Sequence, residues 1–286
     1  MSIHFVAEVS SNHNQNLDRC LKFIDASAEI GCSSVKFQLF KIKELFIPEV
    51  VSKRKEIALR KQWELPISFL PPIAEHCRNR NIKFACTPFY LRAVEELFPY
   101  IDYYKIASYE LLWSDLLIEC ARTGKPIVLS TGMATMAEVE ATVNTLTVAG
   151  CSSLYLLHCC SDYPAPPEYC NLSAIETLRQ AFKLPIGWSD HTVQPGVIHR
   201  AVHRWDASMI EFHLDLEGKG EEYASGHCWL PGQISSIITA INTGLKTDGT
   251  GKKVPTENET TERNWRADPS DGLRPLKKIR QEVGEK

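Results

Sequence analysis

The chain has no excess of basic residues, no CxxC pair, no apolar run of membrane length and no glycine-rich fingerprint after its first strand. Lys and Arg number 32 against 35 Asp and Glu, a net charge of -3 with a pI near 6.3. That balance provides no field for nucleic acid or an anionic membrane, so an anionic substrate must be met by local lysines. No stretch approaches the ~18 apolar residues of a membrane span. The opening residues MSIHFVAEVSSNH read as an early strand with neither basic leader nor cleavage site, so a cytoplasmic protein is expected. The ten cysteines are scattered, several in apolar runs (Cys32, Cys86, Cys151, Cys159, Cys160), which suits reduced buried thiols better than a disulfide framework. Without GxGxxG behind strand one, a doubly wound dinucleotide-binding sheet becomes the secondary choice of fold.

What is present is a repeated alternation. Short apolar segments rich in strand formers recur at 5–9, 34–40, 82–89, 102–108, 125–133, 153–160, 185–190 and 208–216. Between them lie helical patterns at 17–28, 71–81, 91–98, 111–124, 136–150, 171–182 and 197–207, with a last one at 230–245 and a further helical stretch at 55–66. Asn16 is placed to cap the first helix and Gly31 to close it. Eight strand–helix units in a chain of 286 residues, 44% apolar and 23% charged, predict an α/β fold: a single (β/α)8 TIM barrel over 1–248. From 249 to 286 the sequence turns polar and loses periodicity, an irregular tail in which Trp265 hints at docking.

In such barrels the active site sits where the strands end at the C-terminal face. Those ends carry Glu8; Lys36 and Gln38; Thr87; Lys105, Ser108 and Glu110; Ser130 and Thr131; His158, Ser161 and Tyr163; Asp190 and His191; and Glu211 with His213. Taken singly, each has a bland explanation. A strand histidine is more often a bonded core residue than a ligand, Lys36 can snorkel, and Ser-Thr-Gly at 130–132 can be only a turn. Taken together they form one rim. Alternation in VKFQ and EFH places Lys36 with Gln38, and Glu211 with His213, on one face each. A lysine at the barrel mouth needs an anion, so Lys36 and Lys105 beside the Ser-Thr-Gly turn suit a phosphate or carboxylate. His191 and His213 end neighbouring strands and suit a shared divalent ion.

The stretches AEVSSNHNQNLDRC, VKFQLFK, FACTPF, YYKIASYEL, GKPIVLSTGMAT, LLHCCSDYPAP, GWSDHT and IEFH, in this order over residues 5–214, resemble the sialic acid synthase (N-acetylneuraminate synthase) family. The resemblance implies condensation of phosphoenolpyruvate with the open-chain aldehyde of an N-acylated amino sugar such as N-acetylmannosamine. It implies that His191 and His213 hold a divalent ion, manganese first, with magnesium or cobalt as alternatives. It also implies that Lys36, Gln38, Lys105, Ser108, Ser130 and Thr131 hold phosphoenolpyruvate, with Thr87 and Ser161 included in the binding set. Glu8, Glu110 and Tyr163 would line the reacting centre near metal and sugar. A homodimer is compatible with the resemblance.

The sequence also departs from the family pattern. Phe212 stands where a basic residue usually precedes the second metal histidine, and DLEGKGEEYASGHCWLP replaces an acidic sugar-contacting stretch, leaving Glu221, Glu222 or His227 for that work. No counterpart of the family's C-terminal antifreeze-like domain lies within these residues, and Arg266 and Arg274 are the available substitutes for its arginine. The competing expectations are a metal-dependent aldolase on the same barrel and a non-catalytic sugar-phosphate binder. An imidazole such as His191 is expected to have its tautomer fixed by Asp190 or Ser189 beside it.

Overall fold

The computed structural model describes residues 3–284, which divide into two compact units between Thr243 and Gly244. In the first, eight parallel strands close into a barrel: β1 (His4–Glu8), β2 (Ser34–Leu39), β3 (Lys83–Pro88), β4 (Tyr103–Ile106), β5 (Ile127–Ser130), β6 (Leu154–Cys159), β7 (Ile186–Asp190) and β8 (Met209–Leu214). Closure comes from β1 pairing with β8 as well as with β2. A two-residue strand, β9 (Cys228–Trp229), adds to β8 beyond the barrel mouth. Eight helices interleave: α1 (Leu17–Glu29), α2 (Leu70–Asn79), α3 (Leu91–Leu97), α4 (Ser114–Arg122), α5 (Met136–Val148), α6 (Ala174–Phe182), α7 (Pro195–Trp205) and α8 (Pro231–Leu245). The expected (β/α)8 barrel is the fold. No helix among the described residues is long and apolar enough to cross a membrane.

Local chemistry accounts for these elements. The Asn16 side chain accepts from the Arg19 N–H at 2.9 Å and caps α1, as its sequence position predicts. Thr135 and Glu138 form a reciprocal capping box at the start of α5. The barrel is filled from below by inward-facing Val6, Ala85, Tyr103, Val128, Leu157 and Met209, a plug that holds the polar layer above it. Gly187 is required in β7, where a Cβ would lie 2.5 Å from both Leu157 Cδ2 and the Met209 carbonyl oxygen.

The structure differs from the sequence pattern in three places. The helix read over 55–66 is broken into Lys55–Leu59 and a 3-10 turn at Arg60–Trp63, preceded by two short helices at Ile42–Leu45 and Pro48–Lys53. These short pieces bury Phe40, Ile42 and Ile57 in a satellite core of their own, which periodicity over so few residues does not reveal. A helix at Glu221–Ala224 and β9 interrupt the loop after β8. The second unit is also more ordered than an irregular tail. It has helices at Thr260–Asn264 and Lys277–Gly284, and the Asp268 carboxylate accepts from the Ser270 hydroxyl (2.6 Å) and the Lys277 N–H (2.7 Å).

Candidate active site

Above the apolar plug, the alternation of the strands turns a layer of charge inward. Lys36 on β2 reaches Glu8 on β1 at 2.9 Å and Glu211 on β8 at 2.9 Å, and Lys105 on β4 lies 3.3 Å from the same Glu211 carboxylate. The Gln38 amide donates to Glu8 at 2.7 Å, and the Ser189 hydroxyl donates to Glu211 at 3.2 Å. All four charged groups are buried, Lys36 at 4% exposure and Glu8 at 0%. Burial pulls the Lys36 ammonium down to about 8, against the pull of Glu211. Burial pushes the Glu211 carboxyl up, but Lys105 and Lys36 together hold it below the ordinary carboxylate range. The expected external anion is therefore not the sole partner of these lysines. Two internal carboxylates already face them, and a bound donor would have to compete with Glu211 for Lys105. Glu8, expected at the reacting centre, is fully buried, pairs with Lys36 and Gln38, and is not among the residues that line the cavity.

The cavity over this floor measures about 710 Å³. Lys36, Gln38, Lys105, Ser108, Glu110, Ser130, Tyr163, His191 and His213 line it, together with Glu211, Ser10 and Ser11. Gly132 passes so close that a Cβ would lie 2.3 Å from Ser161 Oγ and 2.9 Å from Ser108 Oγ, so only glycine lets this turn approach both hydroxyls. Its N–H donates to Ser108 Oγ at 2.9 Å. The hydroxyls of Thr87, Ser130 and Ser161 are buried without a protein partner. Of these, Ser130 lines the cavity together with Lys105, and its unpartnered hydroxyl is open to a ligand there. Thr131 faces away, its hydroxyl bonded to the Leu157 carbonyl at 3.1 Å, and does not join this group. His158 also turns outward, to the Cys170 carbonyl. Glu110 has one carboxylate oxygen buried without a partner, and burial raises its pKa to about 7 although Lys105 opposes the shift.

The two histidines form the opposite side. The rings of His191 and His213 lie 5.5 Å apart, with the Tyr163 ring 4.2 Å from His191. His191 Nδ1 is bonded to the Cys160 carbonyl at 2.7 Å, and His213 Nδ1 to Glu222 Oε2 at 2.9 Å. Each ring is thereby left with Nε2 free. Burial pulls His191 down to about 3 and lowers His213 as well, which keeps both rings neutral, the form in which imidazole binds a metal. The donor set fits a divalent ion. The group that fixes the His191 tautomer is a backbone carbonyl, not Asp190 or Ser189. Asp190 points out of the barrel and accepts from Trp188, Trp229 and Thr192. His213 also belongs to a cluster with Glu222, His227 and Cys228 whose ligand atoms lie within 4.8 Å of one another.

Sequence patterns missed the roof of the cavity. Phe40, Ile42, Leu45, Phe46, Trp63 and Phe89 make an apolar wall over the charged floor. They come from the insertion after β2 and the turn after β3, and nothing in their spacing connects them. Glu222, by contrast, was among the residues marked in the divergent loop.

Comparison with known proteins bears on the family and the fold. The NeuB family model matches residues 23–253. The N,N'-diacetyllegionaminic acid synthase of Campylobacter jejuni is 32% identical over 270 residues, covering 89% of this chain and 80% of that one. The spore coat polysaccharide biosynthesis protein SpsE of Bacillus subtilis is 32% identical over 226 residues, 75% of this chain and 60% of its own length. Among solved structures, the N-acetylneuraminic acid synthetase of Leptospira borgpetersenii superposes with a TM-score of 0.81 at 30% identity, covering 92% of this chain and 90% of that one.

Proposed function

Because the chain belongs to the NeuB family, we propose that its barrel joins phosphoenolpyruvate to the aldehyde of an N-acylated amino sugar, giving a sialic-acid-like nonulosonate and phosphate. The observation that carries this reading is a single cavity lined by Lys105 and the unpartnered Ser130 hydroxyl on one side and by two imidazoles on the other. The relatives named above as synthases of legionaminic and N-acetylneuraminic acids support it. In the reaction, C3 of phosphoenolpyruvate bonds to the acceptor's aldehyde carbon, whose oxygen takes up a proton. Water adds at C2, the C2–O bond to phosphorus breaks, and phosphate leaves.

Lys105, with Ser108, Ser130, Ser161 and the Gly132 turn, holds the anionic donor, while Glu8 and Glu211 keep Lys36 fixed beside it. A divalent ion on His191 and His213, manganese first among the candidates, would supply Lewis-acid polarisation of the acceptor carbonyl. Glu110, kept protonated up to about 7 by its burial, lines the same cavity and would give the aldehyde oxygen its proton. Tyr163 packs against the His191 ring within the cavity. The apolar wall receives the methyl of the acyl group, and its aromatic members take the C–H face of the sugar.

The test is phosphate release from phosphoenolpyruvate by the manganese-loaded protein over a panel of acylated amino sugars, free and phosphorylated. Release that requires both an acceptor and phosphoenolpyruvate supports the proposal. Cleavage of a nonulosonate to pyruvate with no phosphoenolpyruvate requirement would make the protein an aldolase instead.

A further inference from the structure

The loop after β8 is built around one side chain that the proposed chemistry leaves without a task. Glu222, in the short helix Glu221–Ala224, turns inward to the mouth of the barrel. Its Oε1 accepts from the Ser11 N–H at 3.1 Å and the Ser11 hydroxyl at 2.6 Å, and its Oε2 takes His213 Nδ1 at 2.9 Å. The carboxylate therefore joins the turn after β1 to the end of β8. The loop that delivers it is itself pinned. The Asp215 carboxylate accepts the Gly218 and Lys219 N–H groups at 2.7 and 3.1 Å, and Arg19 on α1 bridges Asp215 at 3.1 Å and Glu217 at 2.6 Å. Gly220 fits against Asn12 with a distance that would fall to 2.8 Å for an added Cβ. So much local bonding makes sense if the position of Glu222 matters.

We propose that Glu222 is a positioning residue that selects the His213 tautomer, holding the proton on Nδ1 so that Nε2 presents its lone pair to the cavity. The inference rests on the reading of His191 and His213 as the metal-binding pair. The chemistry of the partners makes the assignment specific. Ser11 donates twice to Oε1 and Glu222 is held as the carboxylate, well below the ordinary range despite its burial, so Oε2 can only accept, and the ring nitrogen facing it must carry the proton. In Glu222→Gln the same two Ser11 donors keep the amide oxygen, which turns the amide NH2 toward His213. The shape of the side chain is conserved, but the ring is driven to the opposite tautomer, with Nε2 protonated and unable to bind a metal.

Two measurements on the full chain read this out without turnover. Manganese binding is followed by loss of the free-ion signal in electron paramagnetic resonance, and the His213 tautomer by its 15N chemical shifts in the metal-free protein. Glu222→Gln is expected to weaken manganese binding about 10–100-fold and to move the His213 proton from Nδ1 to Nε2, with an unchanged melting temperature. Parent-like affinity and an Nδ1 proton in Glu222→Gln would overturn the inference, as would His227→Ala and Cys228→Ala each weakening manganese binding as strongly, since the metal would then sit in that cluster. His191→Ala separates the two levels. If it abolishes manganese binding while Glu222→Gln does not, only the positioning role fails; if it leaves binding intact, the metal-pair reading fails and the inference with it.

Discussion

The floor of the cavity and its histidine corner solve the same problem, that of keeping polar groups buried, in opposite ways. On the floor, Lys36, Lys105, Glu8 and Glu211 satisfy one another across four strands, so each depends on the others. At the corner, His191 and His213 are neutral, and each is tied through one nitrogen to a single acceptor outside the barrel strands, the Cys160 carbonyl or Glu222. A mutation on the floor strands a charge in a buried network, whereas one at the corner leaves a single acceptor without its donor. The floor thus couples function to stability, and the corner separates them.

The largest effect that would sharpen this contrast is at the corner. His191→Ala should abolish metal-dependent phosphate release while lowering the melting temperature less than Lys36→Ala, because it leaves no charge buried and the fold loses only the bond to the Cys160 carbonyl and the packing on Tyr163. Exhaustive chelation of the parent protein should reproduce the defect, and added manganese should restore the parent but not the variant. Turnover in His191→Ala, or unfolding in place of inactivity, would break the contrast.

Next in size is Lys36→Ala. A rim lysine could be removed without harm to the barrel, but the structure places Lys36 between two buried carboxylates. Its loss leaves Glu8 and Glu211 short of a partner, and removing one member of a buried pair costs about 3–5 kcal/mol. Urea unfolding should show this destabilisation, with Lys105→Ala milder because Glu211 keeps Lys36. Donor affinity, measured by calorimetry, should fall in Lys105→Ala, because the Lys105 ammonium lines the cavity with the unpartnered Ser130 hydroxyl. Equal stability of the two variants would mean that the floor is not a network.

The same contrast explains what could be read before the fold was seen. The inward alternation of VKFQ and EFH depends only on strand periodicity, and a parallel barrel brings all strand ends to one mouth, so the lysines, Gln38 and the histidines were legible as a set. What periodicity cannot provide is pairing between strands. That Glu8 and Glu211 neutralise Lys36 follows from the register Glu8↔Lys36 and Glu8↔His213, a property of closure. Thr131 and Asp190 were misjudged because a residue at a strand end faces in or out according to one step of register. The apolar roof was illegible for a different reason: its members come from an insertion of four- to six-residue helices, too short to show a period.

The smallest effect concerns Glu110, which belongs to neither pattern: it lines the cavity, buried, with one oxygen unpartnered. Its carboxyl holds a proton to about 7 in the folded chain, against an ordinary value of 4.5 when unfolded. Between those values the folded state keeps a proton that the unfolded state has released, so stability declines as pH rises through this window. Glu110→Gln cannot ionise and escapes the decline. It should match the parent at pH 4 and exceed it by roughly 2 kcal/mol at pH 8, allowing about 1.4 kcal/mol per pH unit and a discount for partial solvation. Paired denaturant titrations at the two pH values measure the difference. If Glu110 also delivers the proton to the aldehyde oxygen, the alkaline limb of kcat/KM near pH 7 should vanish in the same variant, together with much of the rate. A stability gain that is the same at both pH values would show that Glu110 is not held protonated by its burial, and would remove it from the proton-transfer role.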